Sequence, residues 1–162
     1  MRTLLYIFLI GFLAQCNPGP QQTVVKSSPS PDSNSNKIKV DTVVMLAGIN
    51  SKGIGRFTNI QLTHPLDATM LEKGSSIYQS KCFACHKLTT ELLMGPGWAG
   101  VTDRRTPEWI MNWITNTKIM LDKDLAAQAD LAVCLIRMPE QDLTDEQARD
   151  VLEFMRKNDG KK

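Results

Sequence analysis

Cys82-Phe83-Ala84-Cys85-His86 sets two thiols three positions apart, with an imidazole directly after the second. This is the spacing at which c-type haem is attached. Both sulfurs can form thioethers to the porphyrin vinyl groups, and the next ring is then held where it reaches the iron from one face. A bare C-x-x-C would also suit a redox pair or half of a zinc site, but zinc needs a second ligand pair at suitable spacing. The other cysteines, Cys16 and Cys134, stand alone and far apart. The motif therefore predicts one covalent haem c, with Cys82 and Cys85 as the thioether positions and His86 as an axial iron ligand.

Helical signals flank the motif on both sides. Asp67 is placed to cap a helix whose Met70, Leu71, Gly74, Ile77, Tyr78 and Lys81 share one face and which delivers the chain into Cys82. Gly74 and Tyr78 lie four apart on that face, so another helix can approach at the glycine and stack on the tyrosine. Thr106-Pro107-Glu108 opens a second helix, with a hydroxyl cap and Pro in the first helical position, and Trp109, Ile110, Trp113 and Ile114 form its apolar face. A third helix is predicted over 123–136, using Leu125, Ala129, Ala132, Val133 and Ile136. Thr144-Asp145-Glu146-Gln147 is a capping box opening a last helix, which buries Ala148, Val151, Leu152 and Met155. The class is all-α, three to five helices around one covalent haem.

The opposite face of the iron decides between carrier and catalyst. A methionine ligand must come from a non-helical turn tens of residues beyond His86. Met138 meets this: Pro139 biases it away from helical dihedrals, and it lies between the third helix and the capped fourth. Met120, just after the second helix, is the competitor, and an iron without a second protein ligand is the other alternative. Met94 is too close to His86 to cross the ring, while Met70, Met111 and Met155 sit in helices where core packing explains them. His64, before Pro65, reads as a turn residue.

The N-terminal part has a different composition. Arg2 and the apolar run 4–13 are too short for a comfortable membrane span and suit the h-region of a secretory signal. Leu13-Ala14-Gln15-Cys16 resembles a bacterial lipobox, making Cys16 the lipidation candidate, although Gln15 replaces the usual small residue and a plain cleaved signal or uncleaved anchor is the alternative. Residues 17–39, rich in Pro, Ser, Asn and Gln, bury too little to offset their ordering entropy and are expected to form a disordered tether. Residues 40–64 form an N-terminal arm with a strand-like piece at 43–47 and a glycine-rich turn. It carries no chemistry and either packs on the haem domain or stays loosely ordered. The haem domain is placed at 65–158, with 159–162 as a tail.

With these residues placed, the chain resembles the monohaem class I cytochromes c over roughly 66–158. The resemblance rests on the helix with Gly74 and Tyr78, the motif at 82–86, Gly95-Pro96-Gly97, a middle helix, Met138-Pro139 and the C-terminal helix. It implies that the first and last helices cross, with Leu152 and Met155 opposite Gly74 and Tyr78. It also implies that the Pro96 carbonyl accepts a hydrogen bond from His86, fixing the ring and raising its basicity. Gly53-Ile54-Gly55-Arg56-Phe57, Trp98-Ala99-Gly100-Val101-Thr102 and 104–111 are similar to haem lipoproteins of Bacteroidetes-type bacteria, some linked to nitrous oxide reduction or terminal oxidases. Arg104 and Arg105 are candidates to pair with a haem propionate, with a plain surface role as the alternative. Trp98 either donates to the same propionate or covers the ring edge. Cys134 reads as a small buried apolar residue.

A His/Met pair closes the iron and favours the ferrous state, so the expected function is outer-sphere transfer of single electrons in a respiratory chain, not enzymatic catalysis. The implied partners are a quinol-oxidising membrane complex as donor and a terminal oxidase or nitrous-oxide-type reductase as acceptor. The expected location is the bacterial periplasm, on a lipid anchor. An open-site haem sensor or peroxidase-like enzyme, or a haem module of a larger respiratory complex, is the alternative. From Pro65 onward, thirteen Lys/Arg against fifteen Asp/Glu leave the domain at −2. Nucleic-acid binding has no support in that balance.

Overall fold

The computed structural model describes residues 50–162, which carry six α-helices, one π-helical turn and no strand. The expectations for residues 1–16, Cys16, the tether 17–39 and residues 40–49 of the arm, including its strand-like piece, lie outside the described residues. The all-α cytochrome c architecture follows from the predicted caps. Asp67 accepts from the Met70 N–H at 2.9 Å and starts α1 (Ala68–Ile77). Thr106 caps α3 (Pro107–Thr115) through the Trp109 N–H at 3.1 Å. Thr144 and Gln147 close the reciprocal capping box of α6 (Asp145–Asn158).

The helices exceed the expected three to five because two short ones interrupt the loops. α2 (Val101–Arg104) starts where Gly100 takes a left-handed conformation, and the Asp159 carboxylate accepts from the Gly100 and Thr102 N–H groups at 2.6 and 2.8 Å. The tail is thereby tied to α2. The predicted second helix stops at Asn116, whose side chain caps α4 (Thr117–Lys123) through the Ile119 N–H.

The first and last helices cross as the resemblance implies, and they form the most heavily packed pair. The residues at the crossing differ from those expected. A Cβ on Gly74 would run into the Asp150 carbonyl and the Phe154 Cβ, and the Tyr78 and Phe154 rings lie 5.5 Å apart. Asp150 and Phe154 are one turn apart and share the α1-facing side. Leu152 instead faces a cavity of about 210 Å³ beside Leu62 and Ile110.

α5 (Leu125–Cys134) is shorter than the predicted 123–136 and turned differently. Asp124 caps it through the Ala127 N–H (2.9 Å) and accepts from the Trp109 indole (3.1 Å). That double bond pattern sets the rotational phase, so Ala127 is buried while Leu125, Ala129, Ala132 and Val133 of the expected apolar face are exposed.

Residues 50–64 are packed onto the helical domain, which resolves the choice left open for that part of the arm. Asn112, on α3, donates to the Lys52 and Phe57 carbonyls at 2.9 Å each and accepts from the Phe57 N–H at 3.0 Å. Thr63 donates to the fully buried carboxylate of Glu153 at 2.6 Å. That carboxylate also accepts from the Asp67 N–H (3.1 Å), Arg149 (2.7 Å) and Arg156 (2.8 Å), so it joins the arm, the start of α1 and α6.

Candidate metal centre

The motif begins in the π-helical turn Tyr78–Cys82, where the sequence predicts an uninterrupted α-helix. The Phe83 N–H bonds back five residues to the Tyr78 carbonyl at 2.9 Å, and the wider turn leaves Cys82 buried. Such widening shifts the helix register locally and recurs at functional sites. The Cys85 and His86 N–H groups then both bond to the Cys82 carbonyl, at 3.1 and 2.9 Å, wrapping the motif into a tight coil. Tyr78 secures its end by donating its hydroxyl to the His86 carbonyl at 2.9 Å.

His86 is held by its ring as well as its backbone. Its Nδ1 lies 2.8 Å from the Pro96 carbonyl, an acceptor only, so Nδ1 carries the proton and Nε2 keeps its lone pair. Burial pushes the imidazole below its ordinary pKa of 6.5, outweighing the bond to Pro96, which acts upward. The ring is therefore neutral at neutral pH. Gly95 is required beside it, because a Cβ there would overlap the imidazole. Trp98 is buried with its ring 5.0 Å from Tyr78 and 5.9 Å from His86. Desolvation raises the haem-free Cys82 thiol to about 11.

The two methionine candidates are in different environments. Met120 is fully buried within α4, and its sulfur accepts the Ile54 N–H at 3.1 Å, next to Gly53 of the arm. Met138 lies outside any helix, three residues after left-handed Leu135, and its sulfur lies 3.1 Å from the Trp113 indole nitrogen. The turn carrying it is anchored on both sides. Glu140 accepts from the Thr117 and Lys118 N–H groups that open α4, at 3.2 and 2.6 Å. Lys81, beside the motif, donates to the Gln141 carbonyl at 2.9 Å.

The other singled-out residues are distributed around this centre. Arg104 donates to the Ala99 carbonyl at 2.7 Å, near Trp98. Arg105 pairs with Asp130 at 3.0 Å and lies over the Trp109 ring at 4.6 Å. His64 is exposed and contacts the Lys162 carbonyl at 3.2 Å. Cys134 is only partly buried. Sequence reasoning missed the Tyr78 hydroxyl, the Gly95 approach and the Trp113 contact. A tyrosine or glycine near the motif was the available signal for the first two; Trp113 had none beyond its apolar period.

The donor set fits a covalent haem. Two cysteines free of any disulfide, a neutral imidazole with Nε2 uncommitted and a thioether on a separate turn are the groups that would attach it and could donate to its iron. The apolar surface agrees. Among the described residues, the exposed large hydrophobics other than Ile54 and Leu125 are Phe83, Leu92, Leu93 and Met94, within eight residues of His86 in the chain, and Val133, Leu135 and Ile136, within five of Met138. Uncovered apolar groups on the segments that carry the donors suit a flat, largely apolar ligand.

A family model for cytochrome c matches residues 71–159. Cytochrome c from Rhodothermus marinus is similar in structure, with 29% identity, coverage of 65% of this chain and 90% of its own, and a TM-score of 0.63. An engineered form of that protein has the same identity, coverage of 65% and 91%, and a TM-score of 0.62. An engineered form bound to a carbene intermediate, 1-ethoxy-1-oxopropan-2-ylidene, again has 29% identity with coverage of 65% and 91%, and superposes with a TM-score of 0.60. Nothing among the curated proteins matches.

Proposed function

Because the chain belongs to the cytochrome c family, whose members are haem-binding electron-transfer proteins, we propose that it carries single electrons through one haem c bonded to Cys82 and Cys85 and ligated by His86 and Met138. The observation that carries the ligand assignment is the contrast between the methionines. Met120 is fully buried inside a helix of the core, against Gly53 of the arm, whereas Met138 is half-buried outside any helix, on an anchored turn between α5 and α6.

Haem bound by these residues supplies a one-electron ferric/ferrous couple. The protein's own residues set its state. Pro96 orients the imidazole and increases its donor strength through the Nδ1 bond, and Tyr78 and Gly95 fix where the ring stands. A neutral imidazole and a thioether add no charge to the iron and favour its reduced form. With His86 and Met138 both donating to it, the iron would keep no open position for a substrate, and this supports reading the protein as an electron carrier rather than an enzyme. Trp98, Arg104 and Arg105 are the side chains assigned to the ring edge and propionates; Arg105 would have to share its guanidinium with Asp130.

The wider setting belongs to the same reading. The apolar run at 4–13 and Cys16 support a lipid-anchored periplasmic protein, and the composition of 17–39 supports a tether. A leash of this kind keeps the carrier near membrane partners: a quinol-oxidising complex as donor and a terminal oxidase or nitrous-oxide-type reductase as acceptor in a respiratory chain.

Carbon monoxide binding separates a closed carrier from an open-site sensor. The ferrous holoprotein is expected to bind carbon monoxide slowly or not at all at neutral pH, and Met138→Ala to bind it at least about a hundredfold faster, reflecting removal of a bond worth several kcal/mol. Prompt binding by the unaltered protein would favour the sensor.

A further inference from the structure

The cavity of about 210 Å³ faced by Leu152 lies apart from the metal centre, since none of Cys82, Cys85, His86 and Met138 lines it. Its floor is Leu62 of the arm, Pro107 and Ile110 of α3 and Leu152 of α6. Ile110 and Leu152 are buried in the core and Pro107 has no N–H to offer, so this end of the cavity is apolar.

The rim has the opposite character. His64, Arg105, Arg156, Lys161 and Lys162 line it, and no carboxylate side chain does. Asp130, Glu153 and Asp103 pair with Arg105, Arg156 and Lys161 from outside the lining. Among the described residues, no acidic side chain pairs with Lys162. The Arg156 guanidinium has five N–H donors and bonds to Glu153 at 2.8 Å and to the Thr63 carbonyl at 3.1 Å, which leaves donors for a further acceptor. Thr102 gives its hydroxyl proton to Asp159 at 2.7 Å, so the cations are what remains to hold an anion. The tail fixes this rim by folding back. The Lys161 N–H bonds to the Arg156 carbonyl at 3.0 Å, the Lys161 ammonium pairs with Asp103 on α2, and His64 Nδ1 donates to the Lys162 carbonyl at 3.2 Å.

An apolar cavity of roughly 150 Å³ is enough to take a benzene molecule, so this one has room for a ring-sized body. A carboxylate taken out of water needs donors in exchange, and guanidinium and ammonium groups supply them as charge-assisted hydrogen bonds. Apolar walls with a few polar groups at one end are the pattern of a small-molecule site.

We propose that this cavity binds a small organic carboxylate, with an apolar body the size of a benzene ring on the floor and the carboxylate against the basic rim. The site is separate from the haem centre and does not depend on which residue is the sixth iron ligand.

The test titrates the full-length holoprotein with benzoate by calorimetry, with benzyl alcohol as the body without the charge and acetate as the charge without the body. Benzoate is expected to bind with a Kd on the order of 1 mM or tighter, which is within reach of so few non-hydrogen atoms, and each control at least about tenfold more weakly. Lys161→Gln/Lys162→Gln is expected to weaken benzoate binding by about tenfold, and Leu62→Phe, which fills the floor, to abolish it. A benzoate Kd weaker than about 10 mM, a control that binds as tightly, or an unchanged affinity in either variant overturns the inference. Should a variant not fold, nuclear magnetic resonance of the unaltered ferrous holoprotein decides. Benzoate is expected to shift the methyl resonances of Leu62, Ile110 and Leu152, and a titration that leaves all three in place overturns the inference.

Discussion

The Cys82→Ala/Cys85→Ala protein is expected to lose most of its helicity and its cooperative thermal transition. The domain is small, and a net stability of about 5–15 kcal/mol is usual for native proteins. Phe83, Leu92, Leu93, Met94, Val133, Leu135 and Ile136 are between 44% and 83% exposed in the polypeptide alone. Fully burying one such side chain is worth about 1.5–3 kcal/mol, so partial cover of the set by a haem is comparable with the whole net stability. Non-covalent haem would be lost by dilution, whereas thioethers keep it in place through every local opening. Far-UV circular dichroism with a thermal ramp measures the result; full native helicity with a cooperative melt would show that the polypeptide core suffices without the haem.

Glu153→Gln is expected to cost about 3–5 kcal/mol, the range for breaking a buried ion pair by removing one partner. The carboxylate is fully buried, and Arg156, 3% exposed, would be left as a buried cation without its counter-charge. Four groups from three segments converge on Glu153, so the damage should spread to the docking of the arm through Thr63 and to the start of α1 at Asp67. Burial alone would raise the Glu153 pKa, but the bonds from Thr63, Arg149, Arg156 and the Asp67 N–H outweigh it and hold the group below its ordinary 4.5. Its contribution is therefore present above that value and is lost as pH falls through the lower folded value. Thermal melts of the holoprotein should show a melting temperature lowered by roughly 10 °C or more at neutral pH, with the gap to the unaltered protein closing in acid. A gap independent of pH would mean that the carboxylate charge is not what stabilises the cluster.

The chemistry of the site was more legible than its support. Cys82, Cys85 and His86 are contiguous and carry their meaning in spacing, and Thr106, Asp67 and the Thr144–Gln147 box act through local hydrogen bonds that a sequence displays directly. What stayed hidden depends on partners distant in the chain. The π turn before Cys82 differs from an α-helix by one residue of register, which composition does not encode. α4 is seven residues long, and Asn116 both ends α3 and caps α4, so apolar period alone runs them together. The phase of α5 is set by Trp109 reaching Asp124, fifteen residues away, and not by the distribution of its apolar residues. Gly74 was readable as a close approach, but Asp150 and Phe154 were not, because only the crossing angle chooses between neighbouring faces of α6.

Ferric absorption in the sulfur-to-iron charge-transfer region, recorded on the full-length holoprotein and on Met138→Ala, tests the central claim most directly. A closed His86/Met138 carrier shows the band, and Met138→Ala abolishes it. A wild-type spectrum without it, or a band that survives Met138→Ala, would contradict the account.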